Sequence, residues 1–229
     1  MTYPITIVDN FFEDPDEVVA IADKCKFYNP NTGNWTGTRT KQLDVEDHRL
    51  FSYFGMKIHG LFHDQVPEYW NLQAHFQKIM PFCEDKYSKK NRGWVHQDHD
   101  AWFGGIVYLT KNPEPDTGTS IYKVKNGYSF QYEHELKMKE SIYKSQVTDD
   151  AEYEKAFDSM QEQYVETVTV ENVYNRFVLF SGNTHHGVKT FGSSPRLTLN
   201  FFGMGQYGKL PPVTRSRCCL LYTSDAADE

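Results

Sequence analysis

RLTLNFF, residues 196–202, is the stretch on which the reading of this fold turns. Leu197, Leu199 and Phe201 fall on one face of an extended chain, and Arg196, Thr198, Asn200 and Phe202 on the other. Successive side chains of a strand point to opposite sides, so this alternation marks a β-strand. Outward from it, GGIVYLT (104–110) and RFVLF (176–180) are short apolar runs bounded by turn residues, and they read as further strands. NLQAHFQKI (71–79) alternates in the same way, and PITIVDNFF opens the chain with a short strand carrying Ile5, Ile7 and Phe11.

Helices precede most of the strands. Asp14 is placed to cap a helix, Pro15 suits its first position, and Glu17 follows Asp14 by three. Val18, Ile21, Ala22 and Cys25 then recur at the spacing of one buried helical stripe. A second helix is predicted over about Asp47–Phe62, after a turn-rich loop from Asn29 to Thr40. The charged stretch from about Glu133 to Gln163 is helix-prone but has too few apolar residues for its own core, so it reads as an insertion on the β scaffold. One domain over residues 1–213 accounts for the chain. From Thr214 onward (TRSRCCLLYTSDAADE) the composition breaks, after the Pro211–Pro212 pair, and the expectation is a disordered or non-native tail with the native end missing.

Composition excludes several classes. A hydrophobic share of 39% is too high for a wholly disordered chain. No run approaches the ~20 apolar residues of a membrane span, and MTYPITIVDNFF lacks the basic and apolar regions of a secretory signal. The net charge of −7 argues against a nucleic-acid partner held by phosphate neutralisation. Cys25, Cys83, Cys218 and Cys219 have no disulfide or zinc spacing, so a reducing cytoplasm is expected.

Two histidine clusters carry the chemistry: WVHQDHD (94–100) and NTHHG (183–187), the latter just after RFVLF. In extended chain, residues two apart face the same side, so His96 and Asp98 can address one ion. A third ligand comes from His185 or His186 on another strand. Two histidines and one carboxylate form the facial triad that leaves open positions on ferrous iron. His99 and Asp100 read as neighbours of the site or as loop. His48, His59, His63, His75 and His134 read as surface or satisfied core, and Trp94, Trp102 and Phe103 as packing.

His96-x-Asp98, Tyr108, His186 and Arg196 together resemble the 2-oxoglutarate/Fe(II)-dependent dioxygenases, nearest to the prolyl-hydroxylase-like branch with its phage and environmental bacterial relatives. The segment from Trp94 to Lys123 and HHGVKTFGSSPRLTLNFFG carry the likeness, which covers about a quarter of the chain. The resemblance implies a mainly β double-stranded β-helix (jelly roll) of about eight core strands, with N-terminal helices against one sheet and a helical insertion. It implies His96, Asp98 and His186 as iron ligands, His186 being preferred to His185 by its spacing from Arg196. Arg196, Tyr108, Thr198 and Asn200 would bind 2-oxoglutarate, Arg196 through its carboxylate fork, with Gly118 and Thr119 walling the site opposite. Asp98 favours hydroxylation, since halogenases of this scaffold replace the acidic ligand by a small residue. The implied cofactors are Fe(II), 2-oxoglutarate and dioxygen, with ascorbate as an accessory. The implied substrate is a protein, peptide or small molecule. A cupin-like metal oxygenase without 2-oxoglutarate and a non-catalytic jelly-roll binding module are the rival readings. The residues do not fix the substrate or the oligomeric state.

Overall fold

The computed structural model describes residues 5–29, 35–61, 69–98, 100–130, 132–207 and 217–219. His63, His99, the centre of the Asn29–Thr40 loop and most of the chain beyond Tyr207 lie outside the described residues.

RLTLNFF becomes the first part of a strand spanning Arg196–Tyr207 (β9). It is flanked by two antiparallel neighbours, Tyr69–Ile79 (β3) and Ala101–Tyr108 (β4), so that Thr198 sits across from Gln77 on one side and Tyr108 on the other. Beyond β4 come Phe177–Ser181 (β7), Ile5–Val8 (β1) and the short parallel strand Arg217–Cys219 (β10). Beyond β3 lies the two-residue strand Thr38–Arg39 (β2), which completes a seven-stranded sheet. A second sheet holds Tyr164–Val170 (β6), Thr119–Val124 (β5) and His185–Val188 (β8), all antiparallel.

The alternation of β9 sorts the layers. Leu197, Leu199 and Phe201 pack, with Ala74, Phe76, Phe103, Val107, Phe177 and Leu179, against the helices Pro15–Lys24 (α1) and His48–Leu61 (α3). Phe201 stacks on Phe177 at 5.0 Å and meets Phe54 edge-on at 5.3 Å. Room for that ring comes from Gly105, where a Cβ would lie 2.4 Å from the Phe201 ring. Each such burial is worth roughly 1.5–3 kcal/mol. Between the two sheets a separate apolar cluster joins Ile5, Tyr108, Ile121, Val170, Val178 and Phe180. The result is the jelly roll with helices buttressing the larger sheet.

Local signals hold at the N-terminus: the Glu17 amide donates to Asp14 Oδ1 at 3.0 Å, and Pro15 opens α1. The second helical stretch is the unbroken α3, which begins one residue beyond the expected Asp47 and is preceded by a separate single turn at Leu43–Glu46 (α2). The charged insertion forms two helices, Glu133–Tyr143 (α4) and Asp150–Glu162 (α5), whose Ile142, Tyr143, Tyr153, Phe157 and Met160 pack with Trp94 and Tyr122. The strand β6 that follows was not evident from sequence. Its sequence YVETVTV alternates, but Val165 is 38% exposed, and its burial is concentrated at Tyr164 and Val170.

Candidate metal and co-substrate site

The segment Gly93–His96 runs along β8 as a partial fourth strand of the smaller sheet. The His96 amide donates to the His186 carbonyl at 3.0 Å and the His186 amide returns the bond at 2.9 Å. That exchange sets the two imidazoles side by side, ring centres 4.3 Å apart. Two residues on, the Asp98 amide donates to the Gly182 carbonyl at 2.9 Å. Only glycine fits at 182, because a Cβ there would lie 1.8 Å from the Ala101 carbonyl oxygen. The Asp98 carboxylate is thereby held 3.9 Å (Oδ1) from His96 Nε2 and 3.5 Å (Oδ2) from His186 Nε2. One donor atom from each of the three lies within 4.8 Å of the others.

The second ring nitrogens are committed elsewhere. His96 Nδ1 is 2.8 Å from the Trp94 carbonyl oxygen, and His186 Nδ1 is 2.9 Å from that of Thr184. A carbonyl only accepts, so Nδ1 carries a proton in both rings and Nε2 is the nitrogen left to face the cavity. Desolvation, followed by the neighbouring His186 and Lys139, holds the His96 pKa well below its usual value, which keeps that ring neutral. His185 faces the other way: its ring lies 5.1 Å from Tyr164 and its Nε2 3.5 Å from Ser129 Oγ.

The triad lines a cavity of about 110 Å³ that also reaches Arg196, Asn200, Thr119 and Phe202. Arg196 is only 3% exposed. Its Nε donates to the Thr117 carbonyl at 3.0 Å and its guanidinium lies 5.4 Å over the Tyr108 ring, while Nη2 is buried without a partner. Among the described residues no carboxylate pairs with it. Burial pulls the Arg196 pKa down, opposed by Tyr108, and burial pushes the Tyr108 hydroxyl up. Tyr108 donates its hydroxyl to Thr119 Oγ1 at 2.7 Å. Thr198 is fully buried and donates to Asn200 Oδ1 at 2.7 Å, and Asn200 Nδ2 donates to Gln77 Oε1. Arg196 and Asn200 therefore line the cavity directly, whereas Tyr108 and Thr198 reach it through Thr119 and Asn200. Gly118 directly precedes Thr119 at the head of β5, on the opposing sheet.

Other expected residues fall as follows. Asp100 is exposed, Phe103 is core, and Trp94 is packed edge-on to Phe157 with its Nε1 donating to Tyr153 at 3.1 Å. His48, His59 and His134 are exposed. His75 departs from the expectation of a satisfied or surface histidine. It is 6% exposed with Nε2 buried and unpartnered, and burial, with Arg39 beside it, pushes its pKa down to about 3. Sequence reasoning also missed Trp35, Arg39, Gln77, Lys139 and Tyr143 as lining residues. A signal existed for Gln77: in NLQAHFQKI, Gln73, His75 and Gln77 share one face of a strand whose other face carries Leu72, Ala74 and Phe76 before Lys78. None existed for Arg39, which follows a turn-rich loop.

A profile of the family of unknown function DUF6445 matches residues 1–202. No curated protein matches the chain significantly. Solved structures with the same architecture include a prolyl-4-hydroxylase from Pseudomonas putida, 16% identical, covering 90% of this chain and 95% of its own, with a TM-score of 0.52. HygX from Streptomyces hygroscopicus, solved with nickel and 2-oxoglutarate bound, is 13% identical over 90% of this chain and 84% of its own, with a TM-score of 0.57. A 2OG-Fe(II) oxygenase family oxidoreductase from Burkholderia pseudomallei is 10% identical over 93% and 89%, with a TM-score of 0.53.

Proposed function

This chain belongs to the DUF6445 family, and from that premise we propose that it is an Fe(II)- and 2-oxoglutarate-dependent dioxygenase of the hydroxylase type. Its substrate would be a peptide, a protein or a small molecule. The observation that carries this reading is the pairing, in one cavity, of three convergent ligand atoms with a buried arginine that has no carboxylate partner among the described residues. A cupin-like metal oxygenase that does without 2-oxoglutarate would leave Arg196 buried and uncompensated, an expensive arrangement. A binding module has no use for three converging donors.

The residues fit the two groups. Two imidazoles with Nε2 turned to the cavity and one carboxylate are a donor set suited to ferrous iron, and among the described residues no cysteine lines the cavity to favour a thiolate site. His96 and His186 through Nε2 and Asp98 through its carboxylate would hold the ion, their backbones already fixed by the main-chain bonds. When bound, Fe(II) and 2-oxoglutarate supply the oxidation of substrate by dioxygen, with succinate and carbon dioxide as co-products.

The chain's own contribution is placement. Asp98 brings the single negative charge among the ligands, and the Nδ1–carbonyl bonds keep each Nε2 aimed inward. Arg196 offers its free Nη2 edge to the remote carboxylate, while Tyr108 and Thr198 hold that end of the cavity in shape. Phe180, 4.4 Å from the His186 ring, with Ile106 and Phe202, keeps water from the reacting end.

The test is a screen of peptide and amino-acid pools with Fe(II)-loaded protein, reading succinate release together with a 16-dalton gain in a pool component. Wild type should give both and His186→Ala neither. Absence of 2-oxoglutarate binding by anaerobic titration of the Fe(II)-loaded wild type would overturn the proposal.

A further inference from the structure

Two cations of the cavity have no role in that mechanism. Arg39, on the edge strand β2, and Lys139, on the insertion helix α4, both line it. The Arg39 guanidinium lies 4.4 Å over the Trp35 ring, which fixes its plane, and its Nε is buried without a partner. Lys139 is half-buried, its Nζ 5.9 Å from the Tyr143 ring. Among the described residues neither forms an ion pair; both feel Asp98, and Lys139 also feels Glu140, which is itself paired with Lys144 at 3.2 Å. Desolvation lowers both pKa values, Arg39 to about 10, so the protein holds two charges in a place that disfavours them.

Asp98 is not free to compensate them in the loaded enzyme. A divalent ion, the Asp98 carboxylate, the two carboxylates of 2-oxoglutarate and Arg196 together carry no net charge. Arg39 and Lys139 then remain as two uncompensated positive charges beside the reacting centre. Both side chains are half-buried, and a charge partly withdrawn from water without a counter-ion is costly; its natural complement is an anion arriving with the remaining reactant.

We infer that Arg39 and Lys139 clamp an anionic group, a carboxylate or a phosphate, of the substrate to be oxidised. The inference rests on the dioxygenase reading above and adds its substrate class. An arginine whose plane is held by an aromatic ring presents its fork edge-on, the geometry that binds planar carboxylates or phosphates bidentately. Lys139 supplies a movable point charge from the other side of the chain's topology. Neither residue belongs to the strands that carry the triad, so substrate choice and metal binding are written on separate segments.

The test titrates Mn(II)- and 2-oxoglutarate-saturated protein, by calorimetry, with N-acetylglycine, methyl phosphate and the neutral control N-acetylglycinamide. At least one anion should bind tenfold or more tightly than the amide, and the preferred anion tells carboxylate from phosphate. Lys139→Gln, at a half-buried helix position, and Arg39→Gln should each weaken that anion at least tenfold, with affinity for 2-oxoglutarate changed less than twofold. Arg39→Lys should recover part of the loss. The inference is overturned if neither anion outbinds the amide, or if the folded Lys139→Gln protein binds the anion as wild type does. It is overturned equally if Arg39→Gln loses 2-oxoglutarate instead, which would move Arg39 to the co-substrate. Failure of the wild type to bind 2-oxoglutarate at all would reject the dioxygenase reading itself, a separate and recognisable result.

Discussion

On β9, Leu197, Leu199 and Phe201 are one strand's thickness from Arg196, Thr198 and Asn200, yet the two sets obey different physics. The first face meets α1 and α3 through apolar contact alone, where fit and volume decide. The second is equally hidden from water but polar at these three positions: hydrogen bonds link Thr198, Asn200 and Gln77, and on the same face Arg196, held to the Thr117 carbonyl, keeps a buried donor without a partner among the described residues. Burial on the first face stabilises the fold. On the second it costs, and the cost is a sign that something is meant to be bound there. The same division extends to β3, where Ala74 and Phe76 face the helices while His75 and Gln77 sit across from Asn200 and Thr198.

The contrast can be broken by exchanging what each face is asked to do. Removing the Arg196 side chain (Arg196→Ala) should raise the 2-oxoglutarate requirement by one to several orders of magnitude, since losing one partner of a buried ion pair costs about 3–5 kcal/mol. The thermal midpoint of the unliganded protein should not fall, and metal binding should survive. Phe201→Ala should do the reverse, costing about 3–5 kcal/mol of unfolding free energy while 2-oxoglutarate affinity per folded molecule stays near wild type. Denaturant titrations and calorimetry on both variants decide the matter. If Arg196→Ala destabilises the unliganded fold as much as Phe201→Ala does, the two faces are not different in kind.

A smaller effect sharpens the comparison. His75 has a folded pKa of about 3 against 6.5 when unfolded. The folded protein therefore stabilises the neutral ring, and this contribution is complete above pH 6.5. Below 6.5 the unfolded chain takes up a proton that the folded one refuses, so stability is lost by about 1.4 kcal/mol per pH unit on the way toward 3. His75→Gln should flatten the acid limb of a stability–pH curve between 6.5 and 4. An unchanged slope would show that His75 meets solvent on the polar face.

What sequence revealed follows the range of the interactions concerned. The helix start at Asp14–Glu17 and the alternation of RLTLNFF depend on residues a few positions apart, so both were legible. His96-x-Asp98 was legible for the same reason, since a shared side of an extended chain is a local property. Choosing between His185 and His186 drew on the spacing to Arg196, and the structure turns His186 to the cavity and His185 to Tyr164. Arg39 and Lys139 were not legible. One sits on a two-residue strand whose place depends on pairing with Gln77 and Lys78, the other on a helix whose charges look like any solvated face. His75 was misread because its unpartnered nitrogen is a fact of the assembled sheet, invisible in a pattern of polar and apolar letters.

The carbonyls that orient the two imidazoles both come from the residue two places earlier, Trp94 for His96 and Thr184 for His186. Each tautomer is thus written into main chain and owes nothing to the chemistry of a neighbouring side chain. Ligand orientation is consequently robust to mutation at positions 94 and 184 so long as the local backbone keeps its course. A lineage could exchange those side chains, and with them the packing around Trp94 and Thr184, while inheriting the aim of both nitrogens intact.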